Sequence, residues 1–333
     1  MQRPRVYSPP SRMYLHEIDT SEQRESRNID DQSFATIYHG QIRKRAFAGT
    51  FMEQNPRFIL LIGQPASGKS YAVSEIKRGF GHAGGVVIDK DMLSTYHPDH
   101  YNLFTTGVES PYTDPRFLPI NSYADRAKEM LLEEAISCRR NIIFLSAPTV
   151  AAAGRLPQVL RRVQNIELWV VATKLMTTRL SSYLRYEKQR AELKASPKKF
   201  RENHKDGPRF MTDRGSDFMF NQLGTVMRDI SQIGIADKLR RVVIVDREGG
   251  GEKHVFAFPN EADAISKKYE AITSSPEGVH MHPAAALNLF TDIGDAMKRG
   301  HDLDARMGVA PLPSDPADRW PWLDLATPRS SRR

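Results

Sequence analysis

Cysteine is almost absent. A single one, Cys138, stands among 333 residues, which excludes an internal disulfide and a cysteine-based metal cluster. It falls in a stretch with helical spacing, where a packed core thiol is the expected role. Long apolar runs are missing too: the longest, Phe58–Ile62 and Leu168–Ala172, are far too short to cross a bilayer. The opening residues, Met1 to Pro10, hold arginine and proline rather than the apolar stretch of a secretory signal. Nor does any basic stripe interleave with aromatics, so single-stranded nucleic acid is not the expected partner. The formal net charge is nevertheless +8, which suits anionic partners such as nucleotides, nucleic acid or a membrane surface, and the basic residues are spread along the chain.

What is present reads as one core with extensions. Apolar residues make up 40% and charged residues 26%, an ordinary globular balance. Residues 1–33 carry Ser, Arg, Glu and Asp with few apolar positions, and are expected to be a leader without a packed core. From Phe34 the spacing of Ile37, Tyr38 and Ile42 predicts a helix. Short apolar runs then alternate with helical stretches. Strands are expected at 58–62, 86–88, 141–145, 166–172 and 241–245. Helices are expected at 69–79, 123–140, 152–164 and 174–193. Strands bounded by helices predict an α/β fold with a parallel sheet covered on both faces. Residues 195–215 read as a polar loop or lid. Beyond Asn260 the strand pattern stops, leaving a helical C-terminal appendage with helices near 260–274 and 283–299. The expected division is a leader 1–33, a core 34–258 and an appendage 259–333.

The decisive local pattern is Gly63-Gln64-Pro65-Ala66-Ser67-Gly68-Lys69-Ser70. A Gly-x-x-x-x-Gly-Lys-Ser run between a strand and a helix is a phosphate-binding loop. The glycines allow backbone N–H groups to turn inward, and these donors with the helix N-terminus hold the β and γ phosphates of ATP. Lys69 is expected to reach the same oxygens, and the Ser70 hydroxyl to ligate Mg²⁺. From average composition, the four fixed positions arise by chance in about one chain of this length in a hundred.

Further motifs follow in order. After the second expected strand come Asp89-Lys90-Asp91 and then His97-Pro98. Arg185-Tyr186-Glu187 lies on the long helix, His204 and Asp206 follow a basic loop, and Asp246-Arg247-Glu248-Gly249 follows the last strand. With the phosphate loop, this series resembles the zeta-toxin family of P-loop kinases, including its plant-pathogen effector branch, over about 58–258. The resemblance implies ATP-dependent phosphorylation of a hydroxyl on a nucleotide-type metabolite, typically UDP-N-acetylglucosamine, or NAD in the effector branch. It implies Asp91 as catalytic base and Arg185 as phosphate clamp. A second clamping base falls in the loop after the long helix, where Arg190, Lys198, Lys199 and Arg201 compete and Arg201 is favoured. Glu129 matches a substrate-binding carboxylate; an exposed helix carboxylate is its alternative. Asp89 is a second carboxylate for substrate or magnesium, and helix capping is the alternative role for Asp91. His97 and Pro98 are expected to shape the loop.

One departure stands out. Where the family carries Glu-Gly-Thr after the third strand, this chain reads Leu145-Ser146-Ala147. Leu145 cannot accept a hydrogen bond from a polar substrate, which counts against UDP-N-acetylglucosamine more than against kinase chemistry. The family also implies an inhibitory antitoxin or a chaperone as partner, with action in the cytoplasm or in a host cell as a secreted effector. Two other readings remain open: a polynucleotide kinase or other P-loop kinase, and a catalytically weak nucleotide-binding interaction protein.

Overall fold

The computed structural model describes residues 28–105, 115–152, 160, 162–163, 165–196, 198–200, 213–247 and 249–274. The chain enters through helix α1 (Asp31–Ile37), whose N-terminus is capped by Asp30 accepting from the Ser33 amide at 2.8 Å. A π-helical turn at Tyr38–Ile42 leads into α2 (Arg43–Phe47). The core then runs β1 (Phe58–Gly63), α3 (Lys69–Gly79), β2 (Val86–Ile88), α4 (Lys90–Ser94), α5 (His100–Thr105), α6 (Leu118–Ser137) and β3 (Ile142–Ser146). It continues with α7 (Pro148–Ala152), β4 (Ile166–Ala172), α8 (Leu175–Ala195), α9 (Asp213–Arg228), β5 (Leu239–Asp246), β6 (Glu252–Ala257) and α10 (Ala262–Thr273).

The strands form one sheet in the order β2-β3-β1-β4-β5-β6. The first five are parallel, so all their C-terminal ends, and the loops that leave them, lie along one edge. β1 sits between β3 and β4, where connections diverge to either side; in open parallel sheets the crevice at such a point takes ligands. Every residue of β1 is buried, because both faces of the sheet are covered. Phe58, Leu60 and Ile62 point into a large core with Phe34, Tyr38, Tyr123, Leu131, Leu223 and Ile265, drawn from α1, α6, α9 and α10. Ile59 and Leu61 point to the opposite face, against Ala72, Ile76 and Phe80 around α3.

The sheet is mixed, not wholly parallel as the alternation of elements implied. β6 returns antiparallel to β5 through a hairpin that uses left-handed backbone at Gly250 and Gly251 (φ 72° and 91°). Its residues alternate between half-buried and exposed, and the strand opens with Glu252 and Lys253, so no continuous apolar run announces it. Helix α9 occupies residues for which a polar loop was expected up to 215. The helix of 123–140 begins earlier, at Leu118, and ends at Ser137; Cys138 caps it and is half-buried, not a core thiol. The expected helices over 152–164 and 283–299, the leader up to residue 27 and the appendage from 275 lie outside the described residues.

One charged cluster ties the lower edge of the sheet together. Glu167 on β4 accepts two hydrogen bonds from Arg57, at 2.7 and 3.0 Å, and one from the Trp169 indole at 3.3 Å. The Arg57 guanidinium also lies over the Phe80 ring at 5.3 Å, fastening the end of α3. Burial works against the Glu167 charge, yet the bonds and charge of Arg57 hold its carboxyl below the ordinary value. The stability this provides is in place above the ordinary carboxylate range and is lost as pH falls through the folded pKa. Glu167→Gln is expected to cost about 1–3 kcal/mol at neutral pH and to flatten the acid limb of stability. Chemical denaturation of both proteins between pH 3 and 7 measures this.

Candidate active site

The phosphate loop starts where β1 ends. A Cβ on Gly63 would lie 2.9 Å from the Ser67 hydroxyl and 3.3 Å from the Val171 side chain, so only glycine fits there. Gly68 adopts left-handed backbone (φ 97°) immediately before α3, and Ala66 does so as well (φ 58°), which costs a non-glycine residue about 1 kcal/mol. Lys69, the first residue of α3, donates to the carbonyls of Gly63 at 2.8 Å and Gln64 at 2.7 Å. It is thereby folded across the mouth of the loop. Beneath it, the Gln64 amide and the Ser67 hydroxyl are buried and meet no hydrogen-bond partner. Pro65 and Ala66 form the half-buried outer turn, and Ser70 is exposed in the first turn of α3.

Arg247 braces this loop from the far side of the sheet. Its guanidinium donates to the Ala66 carbonyl and, at 3.0 Å, to the Ser181 hydroxyl on α8. Its own amide bonds the Ala172 carbonyl at 3.1 Å, fixing it where β4 and β5 end. The β5–β6 hairpin is in turn held to α3 by Lys253 and Glu75, 3.2 Å apart. Arg247 thus links the phosphate loop to α8 and to the end of β4. Arg247 stood in a motif but had no role read for it. The available signal was a basic residue directly after a buried strand whose end faces the phosphate loop.

The two candidate carboxylates divide their tasks. Asp89 is the N-cap of α4, accepting from the Asp91 amide at 3.0 Å. Capping therefore belongs to Asp89, and Asp91, half-buried in the first turn, does not perform it. The register pairs Val86 with Ile142 and Ile142 with Phe58, so Asp89 and Asp91 emerge on the same edge as the phosphate loop, two strands away. At the usual strand spacing that is about 10 Å, room for a hydroxyl acceptor beside a phosphoryl group. Lys90 turns away to Asp125 on α6 at 2.6 Å, and Lys128 joins the same carboxylate at 2.7 Å. Burial works against the Asp125 charge, but the two lysines hold its carboxyl below the ordinary value. Glu129, one turn further along α6, is exposed. His97 is buried edge-on to Tyr123 and accepts from the Asp99 amide at 3.2 Å through Nδ1.

Arg185 lies half-buried on α8, and its Nε meets no hydrogen-bond partner. Arg179, on the same helix, pairs with Asp217 of α9. Leu145 packs, partly buried, against the cluster of Ile59, Leu61 and Ile143. Arg201, His204, Asp206 and Glu248 lie outside the described residues, as does the side chain of Arg190.

The family model for zeta toxins matches residues 43–255, well over half of the chain. The chain belongs to the zeta toxin family. A solved structure described as the PezAT chromosomal toxin-antitoxin system of Streptococcus pneumoniae superposes on it with a TM-score of 0.58. At 19% identity it covers 82% of this zeta toxin and 98% of that chain, a likeness of fold. A structure described as AvrRxo1-ORF1:-ORF2 with ATP gives a TM-score of 0.39 at 13% identity, covering 89% of this chain and 87% of that one. No curated protein matches in sequence. The zeta toxin fold accounts for the mixed sheet and for the phosphate loop at its centre.

Among the described residues no group of three or more His, Cys, Asp or Glu side chains could hold a metal ion, and no helix is long and apolar enough to cross a membrane. Arg247→Ala removes the brace on the Ala66 carbonyl. It is expected to weaken ATP binding about tenfold, the value of one charged hydrogen bond, with little change in melting temperature; calorimetric titration with ATP measures it.

Proposed function

We propose that the chain is an ATP-dependent phosphotransferase acting on a hydroxyl of a nucleotide-type metabolite. The observation that carries this reading is the placement, on one sheet edge, of a built phosphate loop and of Asp91 in the first turn of α4. Gly63, Gln64, Pro65, Ala66, Ser67, Gly68, Lys69 and Ser70 would cradle the ATP phosphates, with Lys69 leaving its two carbonyls for the β and γ oxygens. Magnesium bound at Ser70 would neutralise phosphate charge. Asp91 would accept the acceptor hydroxyl's proton as its oxygen forms a bond to the γ phosphorus and the bond to ADP breaks. Arg185, and Arg201 from the loop beyond α8, would stabilise charge on the transferred group. Asp89 supports this arrangement by capping α4, and Glu129 is offered to the acceptor from α6.

Family membership supports a nucleotide-type metabolite as acceptor, and Leu145 favours NAD over UDP-N-acetylglucosamine. That apolar side chain and Ala147 offer no polar group to an N-acetyl sugar. The family is one of toxins, and the first structural neighbour is described as part of a toxin-antitoxin system. A protein inhibitor is the matching partner here, with action in the cytoplasm or, as an effector, in a host cell.

Two variants test the chemistry. Lys69→Ala should abolish transfer and weaken ATP binding while the protein stays folded; unchanged turnover would rule the phosphate-loop mechanism out. Asp91→Asn should lower the transfer rate about 10²–10⁴-fold with ATP binding retained. Full activity in that variant, together with loss in Asp89→Asn, would reverse the two carboxylates. For the acceptor, NAD and UDP-N-acetylglucosamine are supplied together with ATP and magnesium, and phosphate gain is followed by mass. Preferential phosphorylation of NAD is expected, and preference for the sugar nucleotide would show that Leu145 does not govern recognition.

A further inference from the structure

Helix α8 is buried on two opposite sides, and one of them carries a run of polar side chains edged by Leu193 (7% exposed). Leu180 (0% exposed) and Ala191 (6%) lie on the other side. On the polar side, Thr178 (1%), Ser182 (2%) and Gln189 (7%) fall at spacings of four and seven residues, with Arg185 between the last two. At 100° per residue these four positions span an arc of about 60°. Such a stripe on a packed helix is ordinarily apolar. Here the Thr178 and Ser182 hydroxyls, the Gln189 carbonyl oxygen and the Arg185 Nε are all buried without a hydrogen-bond partner among the described residues, as is the Ser216 hydroxyl on neighbouring α9. Buried polar groups in native proteins almost always find partners, and each one left unmet costs a factor of about ten or more in an equilibrium. So many on one face of one helix is not an accident of packing.

The stripe also has a direction. Ser181 lies about 60° from Thr178, on the Arg185 side, and its hydroxyl receives Arg247, which holds the Ala66 carbonyl of the phosphate loop. The polar face therefore adjoins the phosphate cradle. Opposite, at the end of β3, Leu145 and Ala147 supply no polar side chain.

We infer that the Thr178–Ser182–Gln189 face of α8 is the wall that binds the acceptor, hydrogen-bonding its sugar hydroxyls. Two hydroxyls and a primary amide are neutral groups that both donate and accept, the chemistry a ribose or hexose presents. Arg185, between Ser182 and Gln189, stands where the bound acceptor and the transferred phosphoryl group meet. This rests on the phosphotransferase reading and names the residues that choose its substrate.

The test uses the full chain carrying Asp91→Asn, so that no turnover occurs, with and without Thr178→Val and Ser182→Ala. Binding of NAD, of UDP-N-acetylglucosamine and of ATP is measured separately by calorimetry. The parent should bind one of the two acceptor probes, and the substituted protein should bind that probe at least about tenfold more weakly, with ATP affinity within about twofold. Because the substitutions remove unmet polar groups and keep size, the melting temperature of the free protein should hold or rise. Ser182→Ala alone serves if the double variant does not fold. Unchanged probe affinity means that water closes the stripe and overturns the inference. So does a loss confined to ATP, or a parent that binds neither probe. The kinase reading fails separately: wild-type protein with ATP and magnesium would then transfer no phosphate to any component of a metabolite extract.

Discussion

A lysine held by two backbone carbonyls of its own loop is the interaction around which this protein is arranged. Lys69 reaches the oxygens of Gly63 and Gln64 only because β1 delivers those carbonyls at a fixed level and Gly68 turns the chain back into a helix. β1 is fully buried between two parallel neighbours, so it cannot shift along them without breaking both ladders. The start of the loop is therefore fixed by the sheet. The Gln64 amide and Ser67 hydroxyl, buried without partners under the loop, belong to the same constraint: the backbone path takes precedence over their satisfaction.

The rest of the site is spaced from that loop by strand order. Because β3 intervenes between β1 and β2, a carboxylate leaving β2 stands off by the width of reacting groups instead of collapsing onto the lysine. Asp89 takes the cap of a five-residue helix and thereby fixes where Asp91 begins its first turn. Lys90 is removed from competition by Asp125. Adjacent residues of one short segment are thus sorted by their partners into a structural pair and a candidate chemical group.

Much of this was legible in the linear chain, for identifiable reasons. β1, β3, β4 and β5 are buried on both faces and read as continuous apolar runs. The phosphate loop is local, with spacing, glycines and lysine all within eight residues. β6 was not legible, because an edge strand half-open to water carries Glu252, Lys253 and His254 among its apolar positions. Nor was α9, in which Gly215, Gly224 and several polar residues dilute the apolar side formed by Leu223, Val226 and Met227. The brace from Arg247 joins residues 181 positions apart and has no local signature. Thr178, Ser182 and Gln189 read as an ordinary solvated helix face until the fold buries them. What escapes the sequence is long-range placement, on which both the brace and the buried polar face of α8 depend.

The brace also sets an order of events during synthesis. The ribosome completes the phosphate loop early, while the arginine that fixes its outer turn is 181 residues further along. Until β5 has emerged and added to the sheet, the left-handed turn at Ala66 lacks its bond from Arg247. A nascent chain thus carries the nucleotide-binding residues for most of its translation without the finished cradle. Completion of the phosphate loop is thereby tied to the strand at the opposite end of the parallel run from β2.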